Sequence, residues 1–324
     1  MSKVLSNRVE LVVLVDVKNG NPNGNPDADG RPRVCSATGK GEITPVCLKR
    51  KIRNYIQKVY GKEPGKDIFF QEGVVLNDLI SKPYDTEDSV KKAFEAKKKG
   101  DRSVNPEEVA RKILCRDYFD IRTFGAVLST GDEEKADSIE VTEDSEEKAT
   151  KGKKTGKALR KTAGRVRGPV QVTFAESIDK IHPDTSVSIT RGSVTNESDK
   201  DKERTMGSMY RIPYALYRFH VYVSANDAGI SGFSDDDLKL LKEAIMRMFD
   251  DDRSTSRGEM VVRKAVCFTH VSQFGNSPAH KNFERVTVVK NEKVVGLPTS
   301  YDDYSVSVKV SDLPSGVTIT ELEW

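Results

Sequence analysis

The chain has 324 residues, 36% of them hydrophobic and 32% charged, with 53 basic against 50 acidic side chains and a net charge of +3. That length can bury one large core or two smaller ones, and so small a net charge means that any nucleic-acid binding must show in where the cations lie. No run of about eighteen apolar residues occurs and residues 1–7 carry no signal-type apolar stretch, so the chain is expected in the cytoplasm and away from membranes.

The first predicted element is a strand over 8–17, Arg8-Val9-Glu10-Leu11-Val12-Val13-Leu14-Val15-Asp16-Val17. It is almost continuously apolar and β-branched, the pattern of a strand buried on both faces. A loop of roughly 25 residues follows, opening Asn19-Gly20-Asn21-Pro22-Asn23-Gly24-Asn25-Pro26-Asp27. Loops this long within a compact domain are usually functional or disordered. A helix is then predicted from Pro45 to Tyr60, with Thr44 as N-cap, Pro45 in the first position and Gly61 as the stop. Leu48, Ile52, Tyr55, Ile56 and Val59 form its apolar stripe. Lys49, Arg50, Lys51 and Arg53 crowd one stretch, with no acid between Ile43 and Gln57. A wet helix face normally mixes signs, so this one-sign cluster beside a Gly/Asn loop is the pattern expected of a phosphate-binding mouth.

Residues 62–116 read as an inserted helical subdomain, with helical stretches near 74–80, 90–99 and 106–114, the last opening at Asn105. Residues 120–128 read as extended. Residues 131–147 hold nine acids and one lysine, and residues 148–167 hold nine bases and no acid. Such blocks are expected to form a charged, mobile segment, 131–167. Pro169 to Ala175 is a predicted strand, 182–212 a polar protruding loop or hairpin, and Tyr214 to Ser224 a strand. Ser234 caps a helix over 235–249, 261–271 is a strand, and 286–289 and 305–308 are short strands.

Without the insertions the order is β-α-β-β-α-β, that of the ferredoxin-like fold and of the RNA recognition module. The fold class expected is therefore α+β, and fold alone names no function.

Several motifs carry little. Asn25 to Gly30 opens like a calcium loop, but position twelve is Ser36 rather than a bidentate Glu. Gly152-Lys153-Lys154-Thr155-Gly156-Lys157-Ala158 is one residue short of a P-loop and no apolar strand precedes it. Cys35, Cys47, Cys115 and Cys267 form no C-x-x-C pair, and the four histidines form no H-E-x-x-H. No cofactor and no metal are expected. Asp27 and Asp29 are the residues a metal-dependent RNA-cleaving alternative would use.

Taken together, Asn21 to Asp27, Pro32-Arg33, and Cys47 to Tyr55 resemble the Cas-seven family, the backbone subunits of type I CRISPR surveillance complexes, in the type I-C branch of this RAMP-like superfamily. Residues 120–127, 168–171, 188–191, 252–260 and 275–281 extend the resemblance along nearly the whole chain. It implies a hand-like shape: a palm of modified RNA-recognition fold (1–61, 117–181 and 213–324, the last with the C-terminal strands), helical fingers (62–116) and a thumb hairpin (182–212). It further implies a non-catalytic subunit that lines up with further copies of itself along a crRNA guide. The guide is then presented to a target DNA strand, beside a large subunit and a guide-processing subunit of the Cascade complex. The RNA-binding residues implied are Asn21, Asn23 and Asn25 in the loop, Lys49, Arg50 and Arg53 on the helix, Arg191, Arg204, Met206 and Met209 on the thumb, and Arg122 and Arg167 more weakly. The alternative is a metal-dependent RNA endonuclease of the related type III backbone class. Asn25 stands where an acid is frequent in the family, which counts against that chemistry.

Overall fold

The structure, a computed structural model, describes residues 2–101, 103–130, 133–134, 159–183, 186–191 and 205–323. Strand β1 (Val9–Gly20) runs through the middle of the main sheet. The long loop after it is folded: β2 (Gly24–Asn25) and β3 (Arg31–Pro32) pair across a 3-10 turn, and β4 (Lys40–Ile43) joins the sheet at its edge. Helix α1 (Pro45–Tyr60) starts as the sequence predicts, with the Thr44 hydroxyl accepting from the Cys47 amide at 3.2 Å.

Helices α2 (Leu76–Thr86), α3 (Asp88–Lys98) and α4 (Pro106–Asp117) follow, α4 capped by Asn105. Residues 120–128 are not one extended segment. Helix α5 (Phe119–Phe124) comes first, and only β5 (Gly125–Leu128) is strand. Six residues are too few to show a helical period, and all six are buried, so neither apolar spacing nor polarity marks α5 in the sequence. Gly125 ends it at φ +81°, a backbone region where a side chain is strained.

Next come the two-residue strands β6 (Glu133–Glu134) and β7 (Leu159–Arg160), then β8 (Gly164–Arg167), which pairs with β5. The strand predicted over 169–175 is two, β9 (Val170–Val172) and β10 (Ala175–Lys180), broken where the Thr173 amide turns to the His220 carbonyl. Strands β11 (Val187–Arg191) and β12 (Thr205–Met209) form an antiparallel hairpin. Then follow β13 (Ile212–Val223), α6 (Ala225–Ser231), α7 (Asp235–Arg247) and β14 (Glu259–His270). Helix α7 carries a full Ser234/Asp237 capping box. The chain ends with α8 (Ala279–Phe283), the hairpin β15 (Val286–Lys290)/β16 (Tyr304–Val308), and edge strand β17 (Val317–Glu321).

The sheet order is β17-β14-β1-β13-β10-β4, with β9 also on β13 and every pairing antiparallel. Its inner four strands realise the β-α-β-β-α-β pattern in the order fourth, first, third, second, which is the ferredoxin-like arrangement. The α+β class read from the sequence is the fold observed.

Strand alternation explains why β1 carries apolar residues on both faces between Val9 and Val17. Val9, Leu11, Val13, Val15 and Val17 pack with Leu48, Ile52 and Ile56 of α1 and Leu241 and Ile245 of α7. Val12 and Leu14 point the other way, into clusters built from α8, β15, β16 and β17. Burying each such side chain contributes roughly 1.5–3 kcal/mol. A separate cluster, with Phe69, Ile80, Tyr84, Phe94, Leu114 and Tyr118, joins α2, α3 and α4 and also takes in Ala126, Leu128, Ala163 and Val166.

Candidate nucleic-acid interface

RNA recognition modules stack bases on aromatic side chains of an open sheet face. Here that face is covered. His220 of β13 lies flat on Phe283, ring centroids 4.0 Å apart, and Tyr222 meets the same ring edge-on. The Arg218 guanidinium donates to the carbonyls of Val286 and Phe283 at 2.8 and 2.7 Å and to His220 Nε2 at 3.1 Å. Burial, and then Arg218, push the His220 imidazole down to about 4, so it stays neutral and can accept that bond. Phe283 of α8 and the start of the C-terminal hairpin therefore occupy the place where an RNA recognition module would stack bases, which leaves loops and helix ends as the candidate surface for a nucleic acid.

Such elements meet at one end of the sheet. Gly20, the last residue of β1, pairs with Ile212, the first of β13, so the Asn/Gly loop and the β11–β12 hairpin leave from adjacent points. Helix α1 starts there too, because the Asn23 side-chain oxygen accepts from the Thr44 amide at 2.9 Å. Asn21 donates to the Gly30 carbonyl at 2.7 Å while its own amide donates to Ser256 at 2.6 Å. Asn25 caps the 3-10 turn through the Asp27 amide. All three asparagines thus hold the loop's shape. Gly24 has to be glycine, since a Cβ there would lie 2.9 Å from the Gly30 carbonyl oxygen.

The cationic cluster of α1 is partly neutralised from afar. Lys51 is 7% exposed and lies 2.5 Å from Asp252, which also takes Arg257 at 3.3 Å. Arg53 lies 2.8 Å from the fully buried Asp120. Its guanidinium also covers the rings of Phe70 and Phe124 at 5.2 and 5.0 Å. Among the described residues, Lys49 and Arg50 have no acidic partner. Lys49 lies over the Phe124 ring at 5.2 Å, and its amine is held below the ordinary lysine value by burial and by Arg53. Arg50 donates to the Phe70 carbonyl at 2.6 Å. Two of the four cations, rather than all four, are therefore placed to meet an anion.

Arg122 is turned inward. It forms a two-pronged pair with Asp237 at 2.7 and 3.0 Å and donates to the carbonyls of Cys115 and Gly65 at 2.8 Å each. With its donors committed inside, it offers no surface to RNA. Arg167 is 75% exposed on β8, with Asp227 at 3.4 Å. Met209 is half-buried at the root of the hairpin. Arg204 and the side chains of Arg191 and Met206 lie outside the described residues.

Sequence reasoning missed the acids that pair with the helix, Asp120 and Asp252, since each sits far along the chain. It also missed Tyr210, whose hydroxyl donates to Asp29 at 3.3 Å and whose ring lies under the Arg31 guanidinium at 5.0 Å. Among the described residues no group of three His, Cys, Asp or Glu side chains could hold a metal ion, and no helix is long and apolar enough to cross a membrane.

The family described as CRISPR-associated protein Cas7 matches residues 7–309. The chain belongs to the Cas7 family. The match takes in the loop, α1, the hairpin and the C-terminal strands that cover the sheet. A Cas7 relative, the CRISPR-associated protein Cas7 of Haloferax volcanii, is 28% identical over 257 residues, which is 78% of this chain and 67% of that protein. Among solved structures, a chain of a CRISPR RNA-guided surveillance complex in a pre-nicking state is similar at TM-score 0.44 and 11% identity, over 81% of this chain and 78% of that one. A chain of a type III-B Cmr-beta complex bound to cognate target RNA is similar at TM-score 0.38 and 12% identity, over 80% and 60%. The recognition of a Cas7 protein from its motifs is borne out.

Proposed function

We propose that this Cas7-family protein is a non-catalytic guide-RNA-binding backbone subunit of a type I-C CRISPR surveillance complex. Copies of it would line up along the crRNA, beside the large and guide-processing subunits, and leave the bases free to pair with target DNA. The observation that carries the reading is the convergence of the Asn/Gly loop, the unpaired cations Lys49 and Arg50, and the root of the β11–β12 hairpin at one end of a sheet whose flat face is covered. Such a site suits phosphates and a chain of any sequence, because contacts to the backbone position a nucleic acid without reading it.

The type I-C assignment rests on the motifs at 21–27, 47–55 and 252–260. One palm offers few phosphate contacts, so affinity is expected to come from neighbouring copies on a single strand. The test is binding of single-stranded RNA by the purified protein at low ionic strength, with the salt dependence measured. Each phosphate contact should add about −0.7 to the slope of log affinity on log salt. Failure to bind, even as a multimer, would end this reading. Incubating the loaded assembly with complementary RNA and Mg²⁺ tests the endonuclease alternative: periodic cleavage lost in Asp27→Ala or Asp29→Ala would establish it.

A further inference from the structure

The 3-10 turn Pro26–Ala28 ends in two left-handed residues, Asp29 at φ +53° and Gly30 at φ +73°. A non-glycine residue holds that backbone conformation only where its surroundings fix it, and Asp is among the residues that tolerate it best. Here the fixing contacts come from both sides. Within the loop, the Gly30 amide donates to the Asn25 carbonyl at 2.8 Å and Asn25 pairs with Arg31 across the small β2–β3 ladder. From outside, the Tyr210 hydroxyl donates to Asp29 at 3.3 Å. Arg31 then closes over the Tyr210 ring at 5.0 Å.

Tyr210 occupies a telling position. It lies between β12, which belongs to the protruding hairpin, and β13, which belongs to the rigid sheet. On this side two residues, Tyr210 and Arg211, join the hairpin to the sheet, and a protruding hairpin can swing unless something holds its root. Asp29 and Arg31 grip both ends of that one side chain, the hydroxyl and the ring face. The grip spans 181 residues of sequence. A hydrogen bond and a cation–π contact act on the same side chain from two exposed residues of one tight turn.

We infer that Tyr210 is a latch joining the Asn/Gly loop to the hairpin, with Asp29 and Arg31 as positioning residues that set where the hairpin stands relative to the mouth of α1. The latch itself is a property of the protein alone. Its consequence for RNA, a fixed spacing of the hairpin along the strand, rests on the reading proposed above. Asp29 on this account is a structural acceptor for a tyrosine hydroxyl.

The test is amide hydrogen exchange on the RNA-free protein, comparing wild type with Tyr210→Phe, Arg31→Gln and Asp29→Asn. Tyr210→Phe removes only the hydroxyl. It should speed exchange about threefold to tenfold in two separate segments together, 24–32 and 205–212. Arg31→Gln should do the same, and Asp29→Asn, which keeps an acceptor oxygen and tolerates the left-handed backbone, should behave as wild type. Exchange unchanged in Tyr210→Phe, or raised in one segment only, would overturn the latch. In the RNA-loaded assembly Tyr210→Phe should blur the regular spacing of ribonuclease protection while leaving the salt slope of binding unchanged. Spacing that stays sharp although exchange has risen would overturn the positioning role. A wild-type protein that binds no RNA would sink the functional reading and leave the exchange result standing.

Discussion

The guanidinium of Arg53 and the carboxylate of Asp120 meet at 2.8 Å in the interior, although 67 residues separate them in the chain. Asp120 is fully buried and also accepts from the amides of Phe69 and Phe70 at 2.7 and 3.2 Å. One side chain of α5 thus ties the helical insertion to α1. Removing one partner of a buried pair leaves the other charged without compensation, which typically costs about 3–5 kcal/mol. Arg53→Ala is therefore expected to lower the free energy of unfolding by about that amount in urea titration. A loss below about 1 kcal/mol would show that the pair does not hold the insertion.

Two residues further along α5, Arg122 makes the matching tie to α7. Its partner Asp237 also closes the capping box by accepting from the Ser234 amide at 2.8 Å. Arg122→Met should leave the Asp237 charge stranded and loosen the α7 N-terminus together with the α4–α5 corner. A loss of about 3–5 kcal/mol is expected. RNA binding per folded molecule should not change, which native-gel titration at a temperature well below the transition would check.

These two ties also show what a sequence can and cannot carry. Helix α1 was legible to the residue, because Thr44, Pro45 and the spacing of Leu48, Ile52 and Ile56 are local signals. The β-α-β-β-α-β order was legible because β1, β13 and β14 are long and apolar. The site was half legible. The cluster of Lys49, Arg50, Lys51 and Arg53 reads as uniformly basic only while its neighbours in sequence are considered; Asp120 and Asp252 cancel half of it through tertiary contacts. Two positions of α1 depart from the apolar stripe: Val59 is exposed, and Lys51 is buried with its amine against the half-buried Asp252. The asparagines looked like ligands for an anion, and one polar atom of each, Asn21 Nδ2, Asn23 Oδ1 and Asn25 Oδ1, is bonded to backbone of the loop or of its junction with α1. The cover over the sheet face was invisible, since nothing in residues 284–324 states what they pack against.

With Arg53 and Lys51 committed to structure, the cations to alter are the other two. Lys49→Gln with Arg50→Gln should weaken single-stranded RNA binding and make the salt slope shallower by about 1.4, two contacts at roughly 0.7 each. The fold should survive, at a cost of about 1 kcal/mol for the lost bond to the Phe70 carbonyl. An unchanged slope with a folded protein would remove α1 from the interface.

Lys49 also predicts a pH dependence. Burial and Arg53 hold its amine below the ordinary lysine value of 10.5 in the free protein, and a bound phosphate would favour its charged form. Binding RNA then takes up a proton wherever Lys49 is neutral beforehand. Affinity should therefore fall as pH rises through the free-protein value, starting below the range of an exposed lysine. Lys49→Arg should flatten that fall. Dissociation constants measured from about pH 8 to 10 for the two proteins should diverge on the alkaline side; parallel curves would show that Lys49 does not face the RNA.

The sheet's covered face gives the last expectation. His220, stacked on Phe283 and accepting from Arg218, has its value pushed down from 6.5 to about 4 by burial and then by Arg218. In the unfolded chain it takes up a proton near its ordinary value, while in the folded protein it resists. Between these two values the unfolded state binds more protons, so folding stability must fall as pH is lowered through that window. His220→Gln removes the titrating group and keeps an acceptor for Arg218. The difference in unfolding free energy between wild type and variant should be constant above about pH 6.5 and shift against the wild type down to about pH 4. That difference isolates His220, because Asp16, whose carboxyl is raised by burial on the same face, titrates in both proteins alike. A flat difference across the window would mean that the imidazole is open to water, and that Phe283 does not seal this part of the face on which an RNA recognition module would have stacked its bases.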